Sequence, residues 1–143
     1  MGSLSGARGP DTASYTLTLS KDTRFLPTVT DLTAKTAELL GCHARTMAPL
    51  TDAVGLIMEA LVGPTVQPAG AGLIDLRFEA DPVALRVEIT TEPPPGRSAW
   101  TVEVALVERR QLDALRGLIP DVEFVTRGHR HVCRLVCALQ PKV

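Results

Sequence analysis

A chain of 143 residues is long enough to bury the core of one domain without metal or disulfide bonds. Its net charge of −1, without a Lys/Arg cluster, argues against nucleic acid as a partner, and no apolar run is long enough to span a membrane. Its three cysteines stand in separate contexts, which is typical of free thiols in a reducing cytoplasm rather than of a disulfide framework.

The first half of the chain begins with a strand and a helix. Residues 1–13 are small, polar and rich in glycine, which predicts a flexible tail before a single domain over residues 14–143. Apolar and polar residues alternate over 15–19 and predict a strand. Residues 25–39 then follow helical spacing, and Gly41 just past the end is a typical helix stop.

A second amphipathic helix is predicted from Thr46 to Gly63. Thr46 suits the N-cap, Pro49 falls in the first turn, and Gly63 followed by proline ends the helix. Helical spacing places the side chains of this segment in two rows. The second row contains Glu59, and it either lines a pocket or faces solvent. The first row is Leu50, Val54, Ile57, Met58 and Leu61, and the second is Asp52, Gly55 (or Leu56), Glu59 and Gly63.

Two strands with alternating polarity follow this helix. Residues 74–79 and 83–89 each place apolar side chains on one face and charged ones on the other, and Asp81 with Pro82 makes the turn. The flanking stretches 63–72 and 91–98 are rich in glycine and proline and are predicted as loops. The pattern is that of an antiparallel hairpin with one face exposed to water.

The last third of the chain contains one ambiguous segment. Alternation over 100–106 favours a strand, although a helix entering at Val104 also fits. A short helix is predicted over 111–119, and a closing hairpin over 122–139. The order of elements predicts an α+β fold, a two-layer sandwich of a mixed or antiparallel sheet with three helices on one face.

Three stretches of the sequence are similar to the bacterial anti-sigma-factor serine kinases. RFLPTVTDLTAKTAELLG (24–41) looks like the first helix of that family, and DAVGLIMEALVG (52–63) like the helix that carries its Glu-x-x-x-Asn motif. LDALRGLIPDVEFVTRGHRHVCRLVCAL (112–139) resembles the closing helix and hairpin, above all in LIPDVEF. The resemblance implies the ATP-binding fold of histidine kinases and type II topoisomerases.

The residues that would bind nucleotide depart from the family pattern. Glu59 matches the glutamate that positions or activates the nucleophile, but Gly63 stands where the family has its magnesium-binding asparagine. The adenine-binding Asp-x-Gly falls on Thr91-Glu92-Pro93, and Thr91 could form only one hydrogen bond there. The stretch over 101–115, where a glycine-rich lid should cradle phosphates, contains no glycine.

With these departures, the resemblance implies a pseudo-enzyme that regulates bacterial transcription in the cytoplasm by binding a protein. The partner would be a sigma factor or an antagonist of the anti-sigma class, and no cofactor would be needed. The sequence is also compatible with a homodimer. One alternative is an active ATP-dependent serine kinase that uses Glu59 and Mg²⁺. The other is a small-ligand-binding domain that uses the old nucleotide cleft, lined by Glu59, Gly63 and Thr91.

Two further groups of residues could bind ions. His129, His131 and Cys133 alternate along the closing hairpin and have a spacing suited to zinc or copper. A fourth ligand is missing, so they are interpreted as turn histidines beside a core cysteine, and no metal is predicted. Arg109 and Arg110 could meet an anion, although two exposed arginines are commonplace.

Overall fold

The computed structural model describes residues 3–8, 13–20, 23–42, 44–62, 73–93 and 101–138. Side chains are described from Ala13 onward. The strands are β1 Ser3–Arg8, β2 Ala13–Ser20, β3 Leu73–Ala80, β4 Ala84–Thr91, β5 Val122–Arg127 and β6 Arg130–Ala138. The helices are α1 Leu26–Leu39, which follows a 3₁₀ turn at Thr23–Phe25, then α2 Ala44–Val62, α3 Val102–Glu108 and α4 Leu112–Leu118.

The strands form one sheet in the order β1-β2-β3-β4-β6-β5. Every described pair of neighbours is antiparallel. The α+β class with an antiparallel sheet is therefore confirmed. Because α1 and α2 lie between β2 and β3 in the chain, and α3 and α4 between β4 and β5, the helical segments are connections between strands of this sheet.

One face of the sheet carries the core. The registers place Leu17, Leu76, Ile89 and Cys133 in one row across four strands, and each of them is buried. The buried apolar side chains of all four helices belong to the same hydrophobic cluster as this row. Burying an aliphatic side chain of this size stabilises the fold by about 1.5–3 kcal/mol, so this apolar face is the main source of stability.

Helix α1 ends where the sequence predicts. Gly41 adopts a φ of +86°, a conformation that side chains with a Cβ rarely adopt. Its N–H donates to the Glu38 carbonyl at 3.1 Å, and the Cys42 N–H donates to the Ala37 carbonyl at 2.9 Å. These two bonds satisfy carbonyls at the end of the helix, which is the Schellman arrangement.

Helix α2 begins earlier than predicted. It starts at Ala44, so Thr46 lies inside the helix instead of capping it, and its side chain bonds to the Cys42 thiol. Pro49 is therefore inside the helix rather than in its first turn. A proline there removes one backbone hydrogen bond. The buried apolar row of α2 is a compensating source of stability. The predicted end at Gly63 and the loop 63–72 lie outside the described residues.

The strand favoured over 100–106 is wrong, because residues 102–108 form α3. The Thr101 hydroxyl accepts a hydrogen bond from the Val104 N–H at 3.0 Å and caps the helix. Val102, Ala105 and Leu106 are buried, and this spacing of three and four residues is helical. The part of the chain that the structure describes thus contains four α-helices rather than the three predicted.

Part of the segment predicted as a flexible tail pairs with the sheet. Residues Ser3–Arg8 form a strand at the edge of the sheet and pair with Ala13–Thr18 of β2. Backbone hydrogen bonds to an existing strand require no particular side chains, so a segment rich in small residues can be ordered in this way.

Among the described helices, none is long and apolar enough to cross a membrane.

Candidate functional site

Glu59, the proposed catalytic residue, lies on the exposed side of α2. It and Asp52 are both exposed, and Leu56 between them is half-buried. Within the described ranges Glu59 forms no hydrogen bond or ion pair. The second row of α2 therefore faces solvent from Asp52 to Glu59. Its last member, Gly63, lies outside the described residues.

Thr91, the candidate adenine-binding residue, is the last residue of β4 and is fully buried. Its hydroxyl approaches the carbonyl oxygen of Glu92 at 3.4 Å. Its backbone is paired with Ile74 on one side and His131 on the other. Thr91 follows Val87 and Ile89 on the apolar face, so its side chain is part of the core. None of the described hydrogen bonds or ion pairs links it to Glu59.

The stretch that would form a phosphate-binding lid instead contains α3, a tight turn and the start of α4. The Arg110 N–H donates to the Val107 carbonyl at 3.0 Å, and the Gln111 N–H donates to the Leu106 carbonyl at 2.9 Å. These N–H groups are therefore used to end α3 and are not free to bind phosphate. The exposed Arg109 side chain bonds to Gln111 at 3.2 Å. Of the region predicted as a loop, residues 94–98 lie outside the described residues.

We expect Arg110→Gly to stabilise the protein by about 0.5–1 kcal/mol. Arg110 has a φ of +58°, which costs a residue with a Cβ roughly 1–2 kcal/mol and costs glycine nothing. Part of this gain is offset because glycine also raises the entropy of the unfolded chain. Urea denaturation of the two proteins measures the difference.

Arg109→Gly is the matched control for this substitution. Arg109 is the next residue along the same turn and has an ordinary φ of −90°. Glycine there gains no steric relief, so we expect a loss of about 0.5–1 kcal/mol. Equal effects of the two substitutions would contradict strain at Arg110.

The three residues with metal-like spacing are not gathered into a site. His129 lies in the β5–β6 turn, where its Nε2 is 3.1 Å from Glu92, and His131 Nδ1 is 3.3 Å from the Thr126 hydroxyl. Cys133 is fully buried. No group of three or more His, Cys, Asp or Glu residues suited to a metal ion occurs in the part of the chain that the structure describes.

The three cysteines are free thiols, as the sequence predicts. Burial raises the pKa of Cys133 to about 12 and that of Cys137 to about 11, where Cys42 and Asp121 also contribute. Burial raises the pKa of Cys42 too, and a hydrogen bond with Thr46 opposes this. Each thiol is thus protonated near neutral pH and is a poor nucleophile.

A groove that sequence reasoning missed lies on the face of the sheet opposite the core. One cross-strand row there contains Thr16, Arg77, Glu88, Arg134 and Glu123, one residue from each of five strands. The groove has a volume of about 480 Å³, and every side chain that lines it is polar or charged. The alternating charges in residues 75–79 and 86–88 indicated a polar face but not a groove.

Glu88 lies at the centre of the ion pairs on this face. Its carboxylate accepts from Arg134 Nε at 2.9 Å and from Arg127 Nη2 at 3.3 Å. Arg134 also reaches Glu123 at 3.1 Å. Burial alone would raise the pKa of Glu88, but the hydrogen bonds from Arg127 and Arg134 outweigh burial and lower the pKa below its usual value.

Comparison with known proteins does not assign this chain to a family. No protein-family model matches it, and no curated protein matches it either. Any function must therefore be proposed from its own residues and from the similarity of its motifs.

Proposed function

We propose that this chain is a regulatory protein-binding domain with the histidine-kinase-like ATPase fold. It resembles an anti-sigma factor that works without ATP or Mg²⁺. Its partner is a sigma factor or an antagonist of the anti-sigma class. In this proposal the helices pack together on the apolar face of the sheet, and the domain acts by covering a surface of its partner.

The order of elements supports the fold. From β2 to β6 the chain runs strand, two helices, hairpin, two short helices and hairpin. This is the order predicted from the sequence, except that helix α3 takes the place of the strand favoured over 100–106. The buried apolar residues of α1, α2 and α4 and those of the apolar face belong to one core. A helical layer that covers one face of the sheet is the arrangement we propose from these contacts.

The position of Glu59 is the observation that carries the proposal. A residue that activates a nucleophile needs a substrate hydroxyl within hydrogen-bond reach and a site that excludes water. Glu59 is instead exposed on α2, with no partner among the described residues. Thr91 points into the core, and Gly63 offers a cation no side-chain oxygen. These residues argue against phosphate transfer and leave protein binding as the function that the similarity favours.

The surface offers apolar side chains to such a partner. Exposed examples on four different segments are Leu39 at the end of α1, Leu73 in β3, Val83 in the β3–β4 turn and Val107 in α3. Single exposed apolar residues are ordinary on protein surfaces. In a complex they would supply apolar contacts between the polar groups that surround them.

Calorimetric titration against purified sigma factors and anti-sigma antagonists of the source organism tests the proposal. We expect one of them to bind with the same affinity in the presence and absence of Mg-ATP. Failure of every such protein to bind would contradict the proposed function. Binding that requires Mg-ATP would favour the nucleotide-dependent alternative.

Melting the wild type and Glu59→Gln with and without millimolar Mg-ATP tests the absence of a cofactor. A ligand at 100 times its dissociation constant stabilises a protein by about 2.7 kcal/mol, which is a shift of several degrees. We expect no shift for either protein. The substitution itself should change stability by less than about 0.5 kcal/mol, because Glu59 is exposed.

The active-kinase alternative makes the opposite prediction for the same two proteins. It requires a shift with Mg-ATP in the wild type, and phosphate transfer to the partner that falls about a hundredfold or more in Glu59→Gln. The small-ligand alternative requires Mg-ATP to have no effect and a different compound to stabilise the fold.

A further inference from the structure

The polar groove on the open face of the sheet is shaped by two arginines that reach across strands. Arg130 in β6 extends over β4 and donates to Asp75 in β3 at 2.6 Å. Arg127 in β5 extends over β6 and donates to Glu88 in β4 at 3.3 Å. Both arginines line the groove, and we call their side chains its walls and the short side chains that line it its floor.

The floor of the groove consists of short hydroxyl side chains. Ser14 and Thr16 in β2 and Thr90 in β4 line it. Within the described ranges no group forms a side-chain hydrogen bond with any of these three hydroxyls. Each can both donate and accept, so the floor presents unused hydrogen-bonding capacity toward the space above it.

One wall also holds an unsatisfied donor. Nε of Arg130 is buried and has no acceptor among the described residues, although its Nη2 is bonded to Asp75. Buried donors almost always have a partner, so one without an acceptor calls for an explanation. Because this nitrogen is not accessible to solvent, an oxygen atom of a ligand in the groove would satisfy it only after the Arg130 side chain shifts.

The charges of the lining favour an anion. Three guanidinium groups line the groove, those of Arg77, Arg127 and Arg130, against the two carboxylates of Asp75 and Glu88. Arg77 is paired only with Glu79, which lies outside the lining, and both side chains of that pair are exposed. Such an exposed pair is weak and can be exchanged for a ligand anion. One positive charge is thus available, and guanidinium groups match carboxylate and phosphate geometry.

We propose that this groove binds a small hydroxylated anion. Its carboxylate or phosphate group lies among the three arginines, and its hydroxyl groups bond to Ser14, Thr16 and Thr90. The volume of about 480 Å³ is within the range of small-molecule sites. The site lies on the opposite face of the sheet from the core and does not involve Glu59 or Thr91. Its test uses small molecules alone, so the outcome does not depend on whether the proposed protein partner is correct.

Nuclear magnetic resonance of the ¹⁵N-labelled protein tests the proposal with a matched set of probes. Glycerol 3-phosphate and glycerate carry the two anions on one hydroxylated skeleton, glycerol is the neutral control, and inorganic phosphate is the anion alone. We expect saturable shifts of the Arg130 Nε–H and of the Thr16 and Thr90 amide signals with at least one organic anion. The preferred probe distinguishes phosphate from carboxylate. Glycerol should produce no such shifts.

Variants assign the binding to the groove. Arg77→Gln removes the available charge from an exposed position and should raise the dissociation constant about tenfold or more. Thr90→Val removes one floor hydroxyl with little change in shape and should weaken binding in the same direction. Arg116→Gln is the control, because Arg116 on α4 is similarly exposed and contacts only Glu103, at 3.6 Å. It should bind as the wild type does.

Three results would overturn the proposal. They are no saturable shift with any probe up to about 20 mM, equal shifts with glycerol, and equal weakening by Arg116→Gln and Arg77→Gln. The variants are expected to stay folded, because each changes an exposed or half-buried polar side chain. A melting curve of each variant verifies this before titration.

Discussion

Leu50→Ala is expected to destabilise the protein by about 3–5 kcal/mol. Leu50 is fully buried in α2 at the centre of the core. The substitution removes apolar surface from the core and leaves a cavity that close-packed neighbours fill only in part. Leucine and alanine are both good helix formers, so the backbone of α2 contributes little to the difference. Urea denaturation at neutral pH measures the loss.

Leu39→Ala is the same chemical change at an exposed position. Leu39 is the last residue of α1, and 67% of its surface is accessible. We expect a loss below about 0.5 kcal/mol. A large loss there would mean that Leu39 is covered in solution, for instance by a second copy of the chain. A small loss at Leu50 would contradict the core described above.

Glu88→Gln is expected to destabilise the protein by about 1.5–3 kcal/mol near neutral pH. The carboxylate of Glu88 is 19% exposed and holds two arginines from neighbouring strands. Glutamine can accept a hydrogen bond from one of these arginines, but it carries no charge. Hydrogen bonds to charged groups contribute more to stability than those between neutral groups. Arg127 and Arg134 then lie over the sheet without a shared anion.

The pH dependence of this loss provides a second measurement. The pKa of Glu88 in the folded protein lies below its usual value of 4.5. The ionised carboxylate of Glu88 therefore contributes fully to stability above about pH 4.5. This contribution is lost as the pH falls through the pKa of Glu88 in the folded protein. The free energies of unfolding of the wild type and of Glu88→Gln should therefore converge at acidic pH. Asp81, whose pKa falls to about 2, is present in both proteins, so the difference between them isolates Glu88.

Glu123→Gln serves as the control for Glu88→Gln. Glu123 bonds to the same Arg134 at 3.1 Å, but 57% of its side chain is exposed. Exposed ion pairs contribute little, so we expect a change below about 1 kcal/mol with little dependence on pH. Equal losses from the two variants would show that the arginines do not depend on Glu88 in particular.

Much of the fold follows from local patterns in the sequence. Alternation over 74–79 placed β3 correctly, because one face of that strand is buried and the other is polar. The glycine after α1 marked its end, because the backbone there needs a positive φ. Over 102–108 two periods overlap: Val102, Val104 and Leu106 alternate, while Val102, Ala105 and Leu106 have helical spacing. Seven residues are too few to separate them, and the structure shows a helix capped by Thr101.

The candidate site was harder to read because its geometry depends on distant residues. The alternation of Val87, Ile89 and Thr91 already placed Thr91 on the buried face, which counts against its role as a ligand. The groove could not be predicted, because Arg130 and Asp75 are far apart in the sequence and meet only through the strand order. The ordered segment Ser3–Arg8 likewise depends on pairing with β2 and not on a pattern of its own.

The insertion of α1 and α2 between two neighbouring strands has a consequence for how the chain folds. The β3–β4 and β5–β6 hairpins are local and form in roughly 1–10 μs, whereas Leu17 meets Leu76 only when the long segment that carries both helices closes between them. The non-local closure is the slow event, because its entropy must be lost before its contacts form. Until then the edge of β3 is unpaired and open to other chains. Asp75, Arg77 and Glu79 on that strand place charges along this edge, which opposes aggregation while the sheet is incomplete.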